Sequence, residues 1–272
     1  MAIELKTQEQ KHQEDMQRLR GLRPIDDDFM RVLFKENLPL AQYVLRVLTD
    51  KPDLVLTSCE TQADMKRVTG ARSICLDAYG TDSTGKKYDL EIQRADRGAD
   101  PHRARYHSSA MDIENLDAGQ EFKQLPDTYV IFITEKDFYG RGKPVYMIQN
   151  MNITTGEAFE DGAHILYVNG EYRGNDSLGD LMHDFNCFDP DEMQNPMLRE
   201  KSKYYKESEE GIAEMCKMME EMRNEAMLEA KIKAFVDAVK GIKQMFDVGN
   251  EKAMEAANVP AELRPAVLNQ LA

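Results

Sequence analysis

Residues 76–94 read LDAYGTDSTGKKYDLEIQR, two apolar-alternating runs either side of a Ser-Thr-Gly turn, with an acid inside each run. Alternate residues of a strand share a face, so Asp89, Glu91 and Gln93 project to one side and Leu90 and Ile92 to the other. In the preceding run Cys75, Asp77 and Tyr79 share one face, opposite Ile74, Leu76 and Ala78. Whether the two acids meet depends on register, because a one-residue slip puts them on opposite sides. A three-residue loop, Ser83, Thr84 and left-handed Gly85, centres the ladder on Thr84. Asp77 and Glu91 each lie seven residues from Thr84, which places them directly opposite on one face. A two-residue turn at Thr84 and Gly85 would break that pairing. Opposed carboxylates repel unless a cation lies between them or one is protonated. The alternatives are a solvated strand face carrying unrelated acids, and an oxygen-donor site of the kind Mg²⁺ or Mn²⁺ occupies in catalysis.

The rest of the chain bounds these choices. Its 272 residues suffice for one substantial core, or a core with a helical appendage. No apolar run approaches the roughly 18 residues of a membrane span, and the polar start MAIELKTQEQKHQEDMQRLR lacks a secretory signal's apolar stretch, so no membrane contact and a cytoplasmic location are expected. Cys59, Cys75, Cys187 and Cys216 are dispersed, with no Cys-x-x-Cys pair and no histidine noted at ligand spacing, which argues against a disulfide framework or zinc. The net charge of -14 excludes a chain that coats nucleic acid indiscriminately, so any such contact must be local.

Four segments are expected: a polar helix or tail over 1–23, an α/β core over 24–175, a helical extension over 176–246 and a small helical tail over 247–272. Pro24 and Asp26, Asp27 and Asp28 supply a helix start, and Pro39 divides or kinks the helical stretch that follows. Strands are predicted near 73–79, 88–94, 128–134, 145–151 and 164–168. A helix begins at Asp100 and Pro101 and ends near Gly119. TYVIFITE, almost wholly apolar, reads as a central strand. Ile212, Met215, Met219, Met222 and Ala226 form an apolar stripe too short for a coiled coil, suited to packing on the body or a partner.

Asp77, then Glu91-Ile92-Gln93 after thirteen residues, in helix-strand-strand-helix-strand order, resembles the PD-(D/E)XK nuclease superfamily. DDDFMRVLF, ARSICLDAYGTDSTGKKYDLEIQR, HRARYHSSAMD, LPDTYVIFITEKD and MHDFNCFDPDEM, taken in order across residues 22–228, resemble more narrowly the PD-(D/E)XK nuclease family transposases, also called recombination-promoting nucleases. The resemblance implies a restriction-endonuclease-like α/β core, a mixed central sheet flanked by helices, with a helical C-terminal extension. It implies a metal-dependent DNA endonuclease that hydrolyses phosphodiester bonds in recombination or mobile-element movement. Asp77 and Glu91 match the family's metal-binding acids, and the backbone carbonyl of Ile92 adds a ligand. Gln93 takes the position that is lysine in the superfamily name. Asp27 best fits the acid that opens the first core helix, with Asp26 and Asp28 as rivals. The expected cofactor is Mg²⁺ or Mn²⁺.

Arg94, Arg97, Arg103 and Arg105 flank the second acidic strand and open the next helix, where Arg103, Tyr106 and His107 share a face. Arg94, Arg103, Arg105 and Tyr106 are candidate DNA contacts; the competing expectation is that the arginines pair with Asp96, Asp100 and Asp112. No histidine or serine arrangement suggests acyl transfer. The other functional class in view is a nuclease-fold protein with weak or no catalysis, an interaction module working through its Met-rich C-terminal helix. The C-terminal helices are likewise the candidate surface for a homo-oligomer.

Overall fold

The Asp82 carboxylate builds the turn on which the register depends. Its Oδ1 accepts hydrogen bonds from Thr84 N (2.8 Å), Thr84 Oγ1 (2.7 Å) and Lys86 N (3.0 Å). Gly85 is left-handed, with φ +88°, a region that costs glycine little, and Asp82 N donates to Lys86 O at 3.0 Å. That bond closes a three-residue loop. The structure, a computed structural model, describes residues 8–65, 75–93 and 96–271. Among these, two compact units form, one reaching Cys216 and the other running from Lys217 onward.

The first unit starts with helices α1 (Gln8–Arg20), α2 (Asp27–Phe34) and α3 (Leu38–Thr49). Asp27 and Asp28 occupy the first turn of α2, where the helix dipole favours negative charge. Pro39 does not kink a helix. It stands in the first turn of α3 behind the cap Asn37, whose Oδ1 accepts from Leu40 N, a position where proline's missing donor costs nothing.

Strands β1 (Leu56–Asp64), β2 (Cys75–Asp82) and β3 (Lys87–Gln93) follow, then helix α4 (Pro101–Glu114) and strands β4 (Thr128–Thr134), β5 (Val145–Ile148), β6 (Met151–Asn152), β7 (Glu157–Ala158) and β8 (Ala163–Asn169). The main sheet has the order β1-β2-β3-β4-β8-β5. β1, β2 and β3 form an antiparallel meander, β3, β4 and β8 run parallel, and β5 closes the edge antiparallel to β8. β6 and β7 pair only with each other. Every residue of β4 is buried, as its apolar run requires of a central strand.

On one face of the sheet Ala104 and Met111 of α4 pack with Val130, Phe132 and Tyr167. α2 and α3 lie against β1 and β2. Gly80 sits close under β1: a Cβ there would stand 3.3 Å from both Leu56 Cδ2 and Ser58 O, and in ordinary contact, 3.9 Å, with Leu45 Cδ1 of α3. Its neighbour Tyr79 points the other way and accepts a bond from Asn115 Nδ2 at the end of α4 (2.8 Å).

Helices α5 (Ser177–Asn186) and α6 (Pro196–Glu207) complete the unit, and α7 (Glu209–Phe246) carries the chain into the second. Lys206 of α6 donates to Leu22 O (2.6 Å) and Phe188 O (2.5 Å); burial pulls its ammonium down to about 8. The second unit adds α8 (Asn250–Ala256) and α9 (Arg264–Leu271) around a core of Ile232, Val236, Val239, Met254, Val259 and Val267.

The departures from expectation have local causes. β1 was not foreseen, because LTSCETQAD has no apolar alternation. α4 stops at Glu114, capped by Asn115, short of Gly119. β5 ends at Ile148 rather than 151. The stretch 197–246 breaks at Ser208, whose hydroxyl bonds Tyr204 O. The apolar stripe of α7 buries Met215 and Met219 but leaves Ala226 exposed.

Burial would raise Asp82, but its hydroxyl and backbone donors outweigh it and hold the carboxyl below the ordinary value. Asp82→Ala removes those bonds and orphans the buried Tyr88 hydroxyl, which donates to Oδ2 at 2.9 Å. We expect a loss of about 3 kcal/mol in urea unfolding at pH 7. Because the folded-state value is depressed, wild type should lose this advantage as pH falls below about 4; an advantage unchanged at pH 3 would show that the Asp82 charge is not its source.

Candidate metal centre at the mouth of the hairpin

The β2–β3 ladder pairs Thr81 with Lys87, Gly80 with Tyr88, Tyr79 with Asp89 and Ala78 with Leu90. This register is centred on Thr84, as the three-residue loop demands. One residue further out the strands part. Asp77 N donates to Glu91 Oε1 (3.1 Å) and Ile92 N donates to Asp77 Oδ2 (3.2 Å). Each carboxylate has taken a main-chain donor from the opposite strand. Asp77 and Glu91 therefore come together at the point where the sheet opens, beyond the last regular rung.

The face is not solvated. Asp89 and Glu91 are both 0% exposed and Asp77 is half-buried. Burial, reinforced by Asp89 and Asp77, pushes Glu91 up to about 9. Burial and the charge of Asp27 push Asp77 up to about 6, and burial with Asp77 raises Asp89 well above an ordinary carboxylate.

α4 supplies the partners of this acidic face. Arg103 donates from Nη2 to Glu91 Oε2 (2.6 Å), from Nη1 to Gly98 O (3.2 Å) and from Nε to His107 Nε2 (3.2 Å). An Nε2 that accepts leaves the proton of a neutral imidazole on Nδ1, which donates to Asp89 Oδ2 at 2.9 Å. Gln93 Nε2 lies 3.5 Å from Glu91 Oε2. A Cβ on Gly98 would fall 1.7 Å from Gln93 Oε1, so that glycine makes room for the amide.

Ligand atoms of Asp89, Glu91 and His107 lie within 4.8 Å of one another. Both ring nitrogens of His107 are already engaged, one by Arg103 and the other by Asp89. What remains is oxygen: Asp77, Glu91, and Asp89 Oδ1, a buried atom with no hydrogen-bond partner. That donor chemistry fits a hard divalent cation.

The three candidate helix acids separate by partner. Asp26 is buried and accepts from Arg23 N (2.7 Å) and Arg23 Nη2 (3.1 Å). Asp28 pairs with Arg18. Asp27 is exposed and is the one whose charge reaches Asp77. Arg23 also bonds Glu135 Oε1 (2.8 Å), and Glu135 N donates to Gln93 O (3.1 Å). The start of α2 is thereby tied to the carboxyl ends of the parallel strands β3 and β4.

Of the expected DNA contacts, Arg105 and Tyr106 are exposed on α4, while Arg103 points into the acidic face and pairs with Glu91; the side chain of Asp96 lies outside the described residues. Arg94 lies outside the described residues. Sequence reasoning assigned no role to Asp89 or Gly98, and set His107 on a phosphate-facing side of α4 with Arg103 and Tyr106; His107 is instead buried against Asp89 while Tyr106 is exposed. Asp89 was visible on the Glu91 face by alternation, and His107 one turn after Arg103; their meeting needed the packing of α4. A further correction concerns the cysteines. α5 sets His183 at helical spacing from Cys187, with Sγ 3.6 and 3.7 Å from the two ring nitrogens. Ligand atoms of His183, Asp184 and Cys187 thus lie within 4.8 Å of one another, so a histidine does stand at ligand spacing from one cysteine; Asp184 Oδ1, 3.2 Å from His183 Nδ1, also accepts from Gln194 N, and its Oδ2 accepts from Asn195 N.

With the geometry in place, comparison with known proteins is decisive at one level. Residues 47–177 match the family model described as PD-(D/E)XK nuclease family transposase. This segment belongs to that family. The match is narrower than the 22–228 of the sequence resemblance; it spans both hairpin acids, Gln93 and α4, and leaves Asp27 outside. No curated protein and no solved structure matches the chain. The fold is that of a PD-(D/E)XK nuclease, and the family's chemistry is hydrolysis of nucleic acid. Among the described residues no helix is long and apolar enough to cross a membrane.

Because the folded-state values of Asp77 and Glu91 are raised, the folded chain binds more protons than the unfolded one from about pH 4 to about 6 at Asp77 and to about 9 at Glu91. Stability should fall as pH rises through those windows. In chelator, the thermal midpoint of wild type should drop from pH 5 to pH 8, and Asp77→Asn should drop less, melting at or above wild type at pH 8. A variant that melts far below wild type would mark Asp77 as structural.

Proposed function

We propose that the chain is a Mg²⁺- or Mn²⁺-dependent DNA endonuclease that hydrolyses phosphodiester bonds during recombination or mobile-element movement. One observation carries this reading: the hairpin parts where Asp77 and Glu91 meet, and the acids there are buried against their own repulsion. Such an arrangement stabilises nothing by itself and suits a cation-binding role.

Asp77, Glu91 and the Ile92 carbonyl would hold the ion, with Asp27 contributing charge from the start of α2. When bound, the ion offsets developing charge on the phosphoryl group and acidifies a nearby water. Gln93 carries no charge; held by Gly98's lack of a side chain, its amide orients the attacking water. Arg103 anchors Glu91 through a charge-assisted bond. Arg105 and Tyr106, exposed on the same helix, hold DNA phosphate and sugar, joined by Arg94. On a chain of net charge -14 these contacts are local, and binding should weaken with salt.

The second reading, an interaction module without useful catalysis, draws on Met227 and Leu228, which α7 leaves exposed. A plasmid-nicking assay with and without chelator separates the two.

In that assay Asp77→Ala should abolish cleavage while DNA association survives. Gln93→Leu should lose on the order of a hundredfold in single-turnover rate, as for one positioned polar group. Gly98→Ala should reproduce much of that loss, because its methyl displaces the Gln93 amide without altering it. If Gln93→Leu and Gly98→Ala both cleave at the wild-type rate, Gln93 is only a strand residue; if Asp77→Ala cleaves normally, the catalytic assignment fails.

A further inference from the structure

Far from the acidic face, the sheet ends in β5. Asn169 N donates to Pro144 O, in step with the β5–β8 register of Tyr146 with Tyr167 and Ile148 with Ile165. In an antiparallel ladder bonded residues alternate, so 144, 146 and 148 bond β8. The N–H and C=O groups of Val145 and Met147 therefore point away from the sheet, along an edge that no described strand covers. Residues 147–161 are exposed throughout, and they include Met147, Ile148, Met151, Ile153 at 92% and Phe159 at 66% exposure. Main-chain donors in a row, on a stretch that also exposes five large apolar side chains, invite another strand.

Charge selects which strand. Arg141 and Lys143 precede β5, while beyond it Gln149 and Asn150 line a cleft with Asp127, Glu160 and Asp161, and Met151 pairs with Ala158 next to Glu157. Asp137, bonded by Gly142 N and the Tyr146 hydroxyl, sits beside the two cations, and Lys86 pairs with Asp127, so the edge is net basic at its start and, through Glu157, Glu160 and Asp161, net acidic past its end. An antiparallel second copy reverses that order and is complementary at both ends.

We propose that this edge is a homodimer interface in which β5 pairs antiparallel with β5 of a second copy about a two-fold axis at Tyr146. Val145 of each copy then exchanges main-chain bonds with Met147 of the other. Lys143 stands opposite Gln149 and the acidic cleft, and Arg141 opposite Met151 and Glu157. A two-fold places the same contact twice, so each charged pair recurs, and Ile153 and Phe159 leave water with their counterparts. The proposal is independent of the nuclease reading.

Light scattering and sedimentation of the full chain test it. Wild type should have twice the 31.1 kDa chain mass. Arg141→Glu with Lys143→Glu, and separately Glu157→Lys with Glu160→Lys, should each raise the dimer dissociation constant at least about tenfold, because like charges then face each other. An equimolar mixture of the two variants should recover a dimer, since every pair is again opposite in sign. Thermal melting of each variant checks that it is folded. A wild type that stays monomeric at about 100 μM, a concentration at which a specific interface of standard size forms, would overturn the proposal. So would a dimer that both folded variants retain, which places the interface elsewhere, or a mixture that fails to re-associate.

Discussion

Asp77, Asp89 and Glu91 crowd one face of one hairpin, and their mutual repulsion in a water-poor setting is the constraint around which the first unit is arranged. The loop beneath them is rigid because Asp82 ties Thr84, Lys86 and Tyr88, so the strands cannot slip to separate the acids. The helix above them answers with Arg103 and His107, which bond Glu91 and Asp89 without returning them to ordinary carboxylates. The acids remain far above ordinary carboxylate values. A fold that merely needed a sheet here would fill these positions with Val or Ile.

The sheet's mixed order turns that local arrangement into a site. β3 and β4 run parallel and end side by side at Gln93 and Thr134, and Glu135 N still bonds Gln93 O just past that end. Arg23 joins Asp26 to Glu135, and Lys206 holds the Leu22 and Phe188 carbonyls behind it. The two clasps set the start of α2 close enough for the charge of Asp27 to reach Asp77. This acid lies outside the segment that matches the family, and its place depends on those clasps together with the packing of α2 on β1, β2, α3 and α6.

Much of the architecture was legible in the chain. The Ser83-Thr84-Gly85 turn, with acids equidistant from its centre, announced the register; Asp100-Pro101 announced the start of α4; the apolar run of β4 announced a central strand. β1 was not legible, since an edge strand with one polar face and few apolar residues has no period to detect. Nor was the partner of Arg103. On spacing alone a phosphate contact and pairs with Asp96, Asp100 or Asp112 were equally open, and the observed partner, Glu91, belongs to a different element.

What the sequence by itself determined is local: turn geometry, strand alternation and helix caps act over a few residues and need no knowledge of the rest of the chain. Only the tertiary structure decided which charges meet. Asp89 and His107 are eighteen positions apart and Arg23 and Glu135 more than a hundred, and each pair forms because a helix docks on the sheet at one angle and height. Burial follows from the same docking, and with it the protonation of the acidic face, because desolvation depends on everything packed around a group and not on its neighbours in the chain.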